Sequence, residues 1–398
     1  MAERARRALD KPSEYGPDID LKSLEIPEGS IELHAREEVA EEYSQAAEKV
    51  GVDLRERGGY VQVDEKVVFE VTRDWMKKHG VLIMSLREAL EELSWARNYY
   101  WKAVQVDADK YTAAVELAKA QGYFIYVPPG TRVEIPVQTC LLLYRSGIAQ
   151  PVHNIVVVEE GSELHLLTGC ASAARRGAHL GVSEFYVKRN AKLTFTMIHS
   201  WSTGLDVRPR TGVVVEEGGE YISTYITLAP VRSLQSYPAA YLSAKAKCRM
   251  NTVIVAKRSS VMDLGGKLVF KGREARGEVI SRAVAKDEAT VYARGALIGE
   301  EPGVRGHLEC SGLILSPQAR IVAVPELDGR VAGVELTHEA AVGKIAEEQI
   351  TYLMARGFTE DEAASIIVRG FMEVNLEGIP PELAAEVKRV LDATAKGL

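Results

Sequence analysis

The sequence predicts a mainly β protein, a long central run of short strands with a mixed α+β segment before it and helices after it. Three observations carry this. Residues 123–334 fall into short alternating stretches, each entered through a small residue or a charged turn. Those turns return at a near-constant interval. Outside the run, apolar residues recur at the spacing of a helix face instead.

Residues 1–122 read as an N-terminal α+β cap. Val39, Tyr43, Ala47 and Val50 share one helix face and stop at Gly51, a favoured residue just past a helix end. Val67 to Val71 and Val81 to Met84 read as short buried strands. Ser85 with Glu88 has the spacing of a capping box for a helix through Leu90 and Leu93.

Residues 123–334 form the core. Its turns include Ser162, Ala191, Gly219 and Ala246, at intervals of 29, 28 and 27, and then Ser260, Ala275, Ala289, Gly303 and Ala319, at intervals of 14, 15, 14, 14 and 16. A repeat near 28 with a half-period of 14 fits coils of a parallel β-helix with two strands to a coil. A β-sandwich or double-stranded barrel also spaces its turns regularly, and periodicity alone does not separate the two.

Residues 335–398 read as a helical domain, with Thr337-His338-Glu339-Ala340 opening it. Ala346, Ile350, Leu353 and Met354 make an apolar stripe closed by Gly357. Thr359 with Glu362 is a second capping box, and Ala363, Ile367 and Phe371 line the helix that follows. Pro380-Pro381 starts a last helix with Leu383, Val387, Val390 and Leu391 inward.

A chain of 398 residues with 46% hydrophobic content can bury a large core. Its 49 basic and 56 acidic residues leave a net charge of −7, which argues against nucleic acid as a partner. No stretch approaches the ~20 apolar residues that span a bilayer, and the N-terminus lacks the apolar core of a signal peptide. The expectation is a cytoplasmic protein with no membrane partner. Four dispersed cysteines, Cys140, Cys170, Cys248 and Cys310, read as reduced thiols rather than a disulfide framework. The chain has no phosphate-loop, dinucleotide or nucleophile-elbow motif, so any ATP-driven step belongs to another subunit. Acidic pairs such as Glu159-Glu160 and Glu216-Glu217 sit in turns, whereas a β-helix carbohydrate-active enzyme needs carboxylates clustered on one strand face.

Several motifs occur in one order along nearly the whole chain. They are Tyr126-Val127-Pro128-Pro129-Gly130 through Pro136, Gly169-Cys170, His307-Leu308-Glu309-Cys310, and Thr337-His338-Glu339. Lys344 to Ile350, Tyr352 to Gly357 and Ile367-Val368-Arg369-Gly370-Phe371 follow. In this order they resemble the SufB/SufD family, the scaffold subunits on which the Suf machinery builds iron-sulfur clusters.

The resemblance implies a right-handed parallel β-helix and a non-catalytic role. It makes Cys310, Glu339 and His338 the cluster ligands, Cys170 the sulfur acceptor, and His199 and Trp201 members of an interior sulfur route, His199 replacing a glutamine there. It implies a SufC-type ATPase docked on the C-terminal helices through Ile350, Leu353, Met354, Ile367 and Phe371, and a cysteine desulfurase pathway as sulfur donor. The second subunit is another copy of this chain or a SufB/SufD sister, because Thr337-His338-Glu339 stands where SufB has Glu-His-Glu. A cluster held by few thiolates is released more readily, which suits a scaffold. Cluster type and the participation of a flavin are not fixed by these residues. Sulfur transfer asks for an accessible, acidified thiol, and Arg175 and Arg176 stand near enough in sequence to acidify Cys170. The thiol of Cys310 and the carboxylate of Glu339 are expected close together on a surface shared with the second subunit.

Overall fold

A computed structural model describes residues 1–55, 58–227, 229–372, 385 and 388–389. It is mainly β, a parallel β-solenoid of about 8 turns with an N-terminal region and C-terminal helices. One sheet stacks Val137–Leu143, Glu163–Ser172, Lys192–Ser200, Glu220–Thr227, Lys247–Ala256, Arg276–Ala285, Arg305–Ile314 and Glu335–Lys344 in parallel. The other runs from Tyr123–Val127 through Ala149–Val158, Gly177–Val187 and Arg210–Val215 to Val261–Phe270, Thr290–Gly299 and Arg320–Gly329.

The repeat read from the turns is the coil itself. Glu163, Lys192, Glu220, Lys247, Arg276, Arg305 and Glu335 lie one above another in the ladder, separated by 29, 28, 27, 29, 29 and 30 residues. Two residues before each stands a corner in the left-handed region: Gly161, Asn190, Gly218, Lys245, Glu274, Gly303 and Gly333, with φ between 54° and 82°. Glycine and asparagine take that conformation readily; Lys245 and Glu274 hold it against a cost of about 1–2 kcal/mol.

Alternation along each strand divides the side chains between two environments. Leu164, Leu166 and Cys170, then Leu193, Phe195 and Met197, then Met250 and Ile254, fill the lumen. Cys140, Leu167, Ile198, Val253 and Val284 face outward and are covered by the helices Arg36–Glu48 and Glu360–Met372, which add Val39, Val368 and Met372 to the same cluster. With both faces covered, Val137–Leu143 and Ala149–Val158 are buried along their whole length, and the polar residues on the stacked strands, such as Thr168, Thr196 and Thr224, are buried with them.

The N-terminal region closes one end and then runs along the side. Its helix Arg36–Glu48 ends as expected before Gly51, at φ +76°. Residues 13–17 lie as a strap across the second sheet. Arg208, 1% exposed, donates to Pro17 O at 2.6 Å, Arg210 to Ser13 Oγ at 3.1 Å, and Arg294 lies 4.4 Å from the ring of Tyr15.

Three local expectations are corrected. Ser85 precedes the helix Leu86–Glu92 but makes no cap bond; its hydroxyl meets Glu88 Oε2 at 3.3 Å. Residues 335–344 are not helical: they form one more strand, Glu335–Lys344, so Glu339 is in a ladder rather than a first helical turn, and the helices begin at Glu347. The cause is tertiary, since the neighbouring strand offers a full row of partners. On the helix Glu360–Met372 the deepest residues are Ala363, Val368 and Met372, with Ile367 and Phe371 only half-buried. The Thr359 capping box does form, Thr359 N donating to Glu362 Oε2 at 2.8 Å and Glu362 N to Thr359 Oγ1 at 3.2 Å. The helix expected after Pro380-Pro381 lies outside the described residues apart from 385 and 388–389. Among the described residues no helix is long and apolar enough to cross a membrane.

Candidate functional site

The solenoid ends on two strands with one neighbour each, Arg320–Gly329 and Glu335–Lys344. Cys310 lies one strand in from this end, on Arg305–Ile314, with its thiol in the lumen. It is fully buried, and Sγ points to Ala293 O at 3.9 Å. Burial, with Glu309 nearby, pushes the thiol up to about 11.

Register decides which expected ligands meet it. Leu308 pairs with His338, Glu309 with Glu339 and Cys310 with Ala340. His338 therefore shares the inward face with Cys310, as its diagonal neighbour on the adjoining strand. Glu339 shares the outward face with Glu309 and is exposed. The thiol and the carboxylate sit on neighbouring strands but on opposite sides of the sheet, so within one chain they do not converge. His338 is half-buried, and its Nε2 is a buried atom with no hydrogen-bond partner among the described residues. Among the described residues no group of three or more His, Cys, Asp or Glu side chains could hold a metal ion.

Deeper in the lumen lies the second group. Cys170 is fully buried and pairs in the ladder with His199. Burial drives its thiol well above the ordinary value, with Cys140 adding to the rise. The expected acidification by Arg175 and Arg176 is absent: Arg175 N donates to Ser146 Oγ at 2.9 Å and Arg176 Nη2 to Ser23 Oγ at 3.2 Å, both at the surface. His199 Nδ1 meets the Tyr225 hydroxyl at 2.8 Å. Trp201 stands between two imidazoles, His179 at 4.9 Å and His199 at 5.3 Å between ring centres. His199 Nε2 and Trp201 Nε1 are buried without partners among the described residues.

His179, Tyr225 and Gln150 complete this group and were not singled out in the sequence. Gln150 Nε2 donates to Asp64 O at 2.7 Å and Leu142 O at 2.9 Å, so its Oε1 accepts from His179 Nδ1 at 2.8 Å. That fixes the tautomer and leaves His179 Nε2 as an acceptor. Burial lowers His179 to about 3 and His199 well below its usual value, so both are neutral at pH 7. The only trace of them in the sequence is a polar residue at a lumen-facing position of an otherwise apolar strand.

Cys140 and Cys248 pack in apolar surroundings, Cys140 on the outer face and Cys248 in the lumen. On the C-terminal helices, Glu347–Met354 buries none of its residues. Ile350 and Leu353 are half-buried there, and Met354, Tyr352 and the following Phe358 are exposed. Ile367 and Phe371 lie on Glu360–Met372, the helix that covers the outer face of the first sheet.

Comparison with known proteins bears on the whole chain. The family description "SUF system FeS cluster assembly, SufBD core domain" matches residues 143–371, and "SufBD protein N-terminal region" matches residues 52–139. An iron-sulfur cluster assembly SufBD family protein of Methanothermobacter thermautotrophicus is 45% identical over 407 residues, covering 99% of this chain and 98% of its own. One of Archaeoglobus fulgidus is 47% identical over 354 residues, covering 88% and 94%. The iron-sulfur cluster assembly protein SufB of Bacillus subtilis is 28% identical over 397 residues, covering 95% and 85%. A core match over more than half the chain, carried on the stacked coils that hold Cys170 and Cys310, makes this protein a member of the SufBD family, with a role in the Suf system of iron-sulfur cluster assembly.

Proposed function

We propose that the chain is a non-catalytic cytoplasmic scaffold that binds a nascent iron-sulfur cluster, as cargo, at the open end of the solenoid where a second copy docks. The observation that carries this is the end itself. Among the described residues its two outermost strands have unpaired edges and exposed Val322, Leu327 and Val342, and just inside them lie Cys310 and the unpartnered Nε2 of His338. An unpaired edge of this kind invites another strand or chain. One thiol and one imidazole from each of two copies supply four donors related by a two-fold axis. Glu339, on the outer face, joins that set only across the interface.

Cys170 is the sulfur acceptor of this scheme, fed by a cysteine desulfurase pathway, with His199 and Trp201 on the interior route to the cluster. The docking site for a SufC-type ATPase is the accessible helix Glu347–Met354 through Ile350, Leu353 and Met354, with Ile367 and Phe371 behind it. A second reading makes the chain a SufD-like partner of a separate SufB, lending His338 alone. The outward direction of Glu339 favours it.

Anaerobic reconstitution of the chain alone with iron and sulfide separates the two. The scaffold reading expects a homodimer with charge-transfer absorption that is lost in Cys310→Ser and weakened in His338→Ala. An apo monomer under the same conditions overturns it in favour of the SufD-like reading.

A further inference from the structure

A groove of about 680 Å³ lies on the outer side of the second sheet, on the face opposite the C-terminal helices. Its size falls within the roughly 300–1,000 Å³ usual for small-molecule sites. One wall is the loop at residues 102–105, the other the strap at residues 14 and 15, and Tyr237, Ala239 and Tyr241 form the floor. Both walls are fixed. Fully buried Glu184 accepts from the backbone N–H groups of Trp101, Lys102 and Ala103, each at 2.6 Å, and of Val104 at 3.1 Å. The same loop sits so closely on the sheet that a Cβ on Gly212 would meet Ala103 O at 2.2 Å. The strap is held by Arg208, Arg210 and Arg294 as described above.

The charges around the groove are asymmetric. Arg210 is committed to Asp109 at 2.7 Å, and Glu14 and Glu326 lie at the strap end, where both face Tyr237. Lys102, Lys267 and Lys271 line the remainder, and none of the three pairs with a carboxylate among the described residues. Lys267 stands in the ladder between Ala239 and Ala296, with small neighbours on both sides. Lys271 Nζ lies 4.8 Å from the ring centre of Tyr241. Ammonium groups lining a groove with an aromatic floor suit an anion and a flat ring together. We propose that this groove binds a phosphate ester that carries an aromatic ring, the phosphate on the lysine side and the ring against the Tyr237 and Tyr241 floor.

The groove is independent of the cluster reading, and its loss leaves Cys310-dependent absorption unchanged. The test is calorimetric titration of the full chain with AMP, FMN and inorganic pyrophosphate, in the wild type, in Lys267→Glu/Lys271→Glu, in the milder Lys271→Gln, and in Lys247→Glu on the opposite sheet. The expected result is that AMP or FMN binds at least tenfold more tightly than pyrophosphate, whichever ester is tighter naming the ring. That affinity falls at least tenfold in the double variant, falls measurably in Lys271→Gln, and is unchanged in Lys247→Glu. No binding of any probe at millimolar concentration, equal affinity in wild type and Lys271→Gln, or pyrophosphate binding as tightly as the esters overturns the proposal.

Discussion

Glu184 has no exposed surface, yet its carboxylate gathers four backbone amides, the Tyr186 hydroxyl at 3.0 Å and the His153 ring at 2.9 Å. Each buried donor left without an acceptor costs about 1–3 kcal/mol. Glu184→Ala is therefore expected to destabilise by at least about 3 kcal/mol, and Glu184→Gln, which keeps one acceptor oxygen, by less; urea midpoints of the two variants check the order. His179 gives a pH dependence. Its folded value near 3 lies below the 6.5 of a free imidazole, so between those limits the unfolded chain binds more protons. Its contribution is complete above pH 6.5 and is lost as pH falls through that window, with a slope approaching roughly 1.4 kcal/mol per pH unit. His199, shifted the same way, adds to it. His179→Gln is expected to flatten the acid limb when urea midpoints at pH 4.5, 5.5 and 7 are compared. At this scale the sequence singles out Cys170, Cys310 and His338 as candidates through short motifs but not the faces they occupy. Alternation with a period of two puts Cys310 inside and Glu339 outside, and only the register between strands sets that phase.

Elements show the same division between local and non-local causes. Ser85 and Thr359 carry one signature with different outcomes. Ser85 belongs to the strand Leu82–Ser85 and Leu86 N already donates to Gly122 O, whereas Thr359 follows Gly357 at φ +96° and is free to cap. Thr359→Ala is expected to cost about 1 kcal/mol, seen as faster hydrogen exchange at the amides of residues 360–363 with the solenoid core unchanged. In the sequence Thr337-His338-Glu339-Ala340 stands just before the apolar stripe of Ala346, Ile350, Leu353 and Met354 and reads as the opening of the helices. Ten ladder partners on Arg305–Ile314 outweigh that local preference. The coils themselves were legible, since each must begin with a residue able to take its corner, and Gly161, Asn190 and Gly218 announce that position.

At the scale of the molecule, the solenoid is covered at its N-terminal end and, among the described residues, open at the other. Val322 and Val342 are each 40% exposed on the two terminal strands. Val322→Lys/Val342→Lys is expected to abolish self-association in sedimentation experiments while changing the stability of the single chain by less than about 0.5 kcal/mol, because surface substitutions seldom cost more. Retained dimers would place the interface elsewhere. The strap has a temporal consequence. Chains leave the ribosome from the N-terminus at about 5–20 residues per second, so Ser13 and Pro17 emerge roughly ten or more seconds before Arg208 and Arg210 exist to hold them, and longer still before Arg294. Residues made early are thus among the last to be seated, and during that wait the flank of the growing rod stands bare to nascent-chain chaperones.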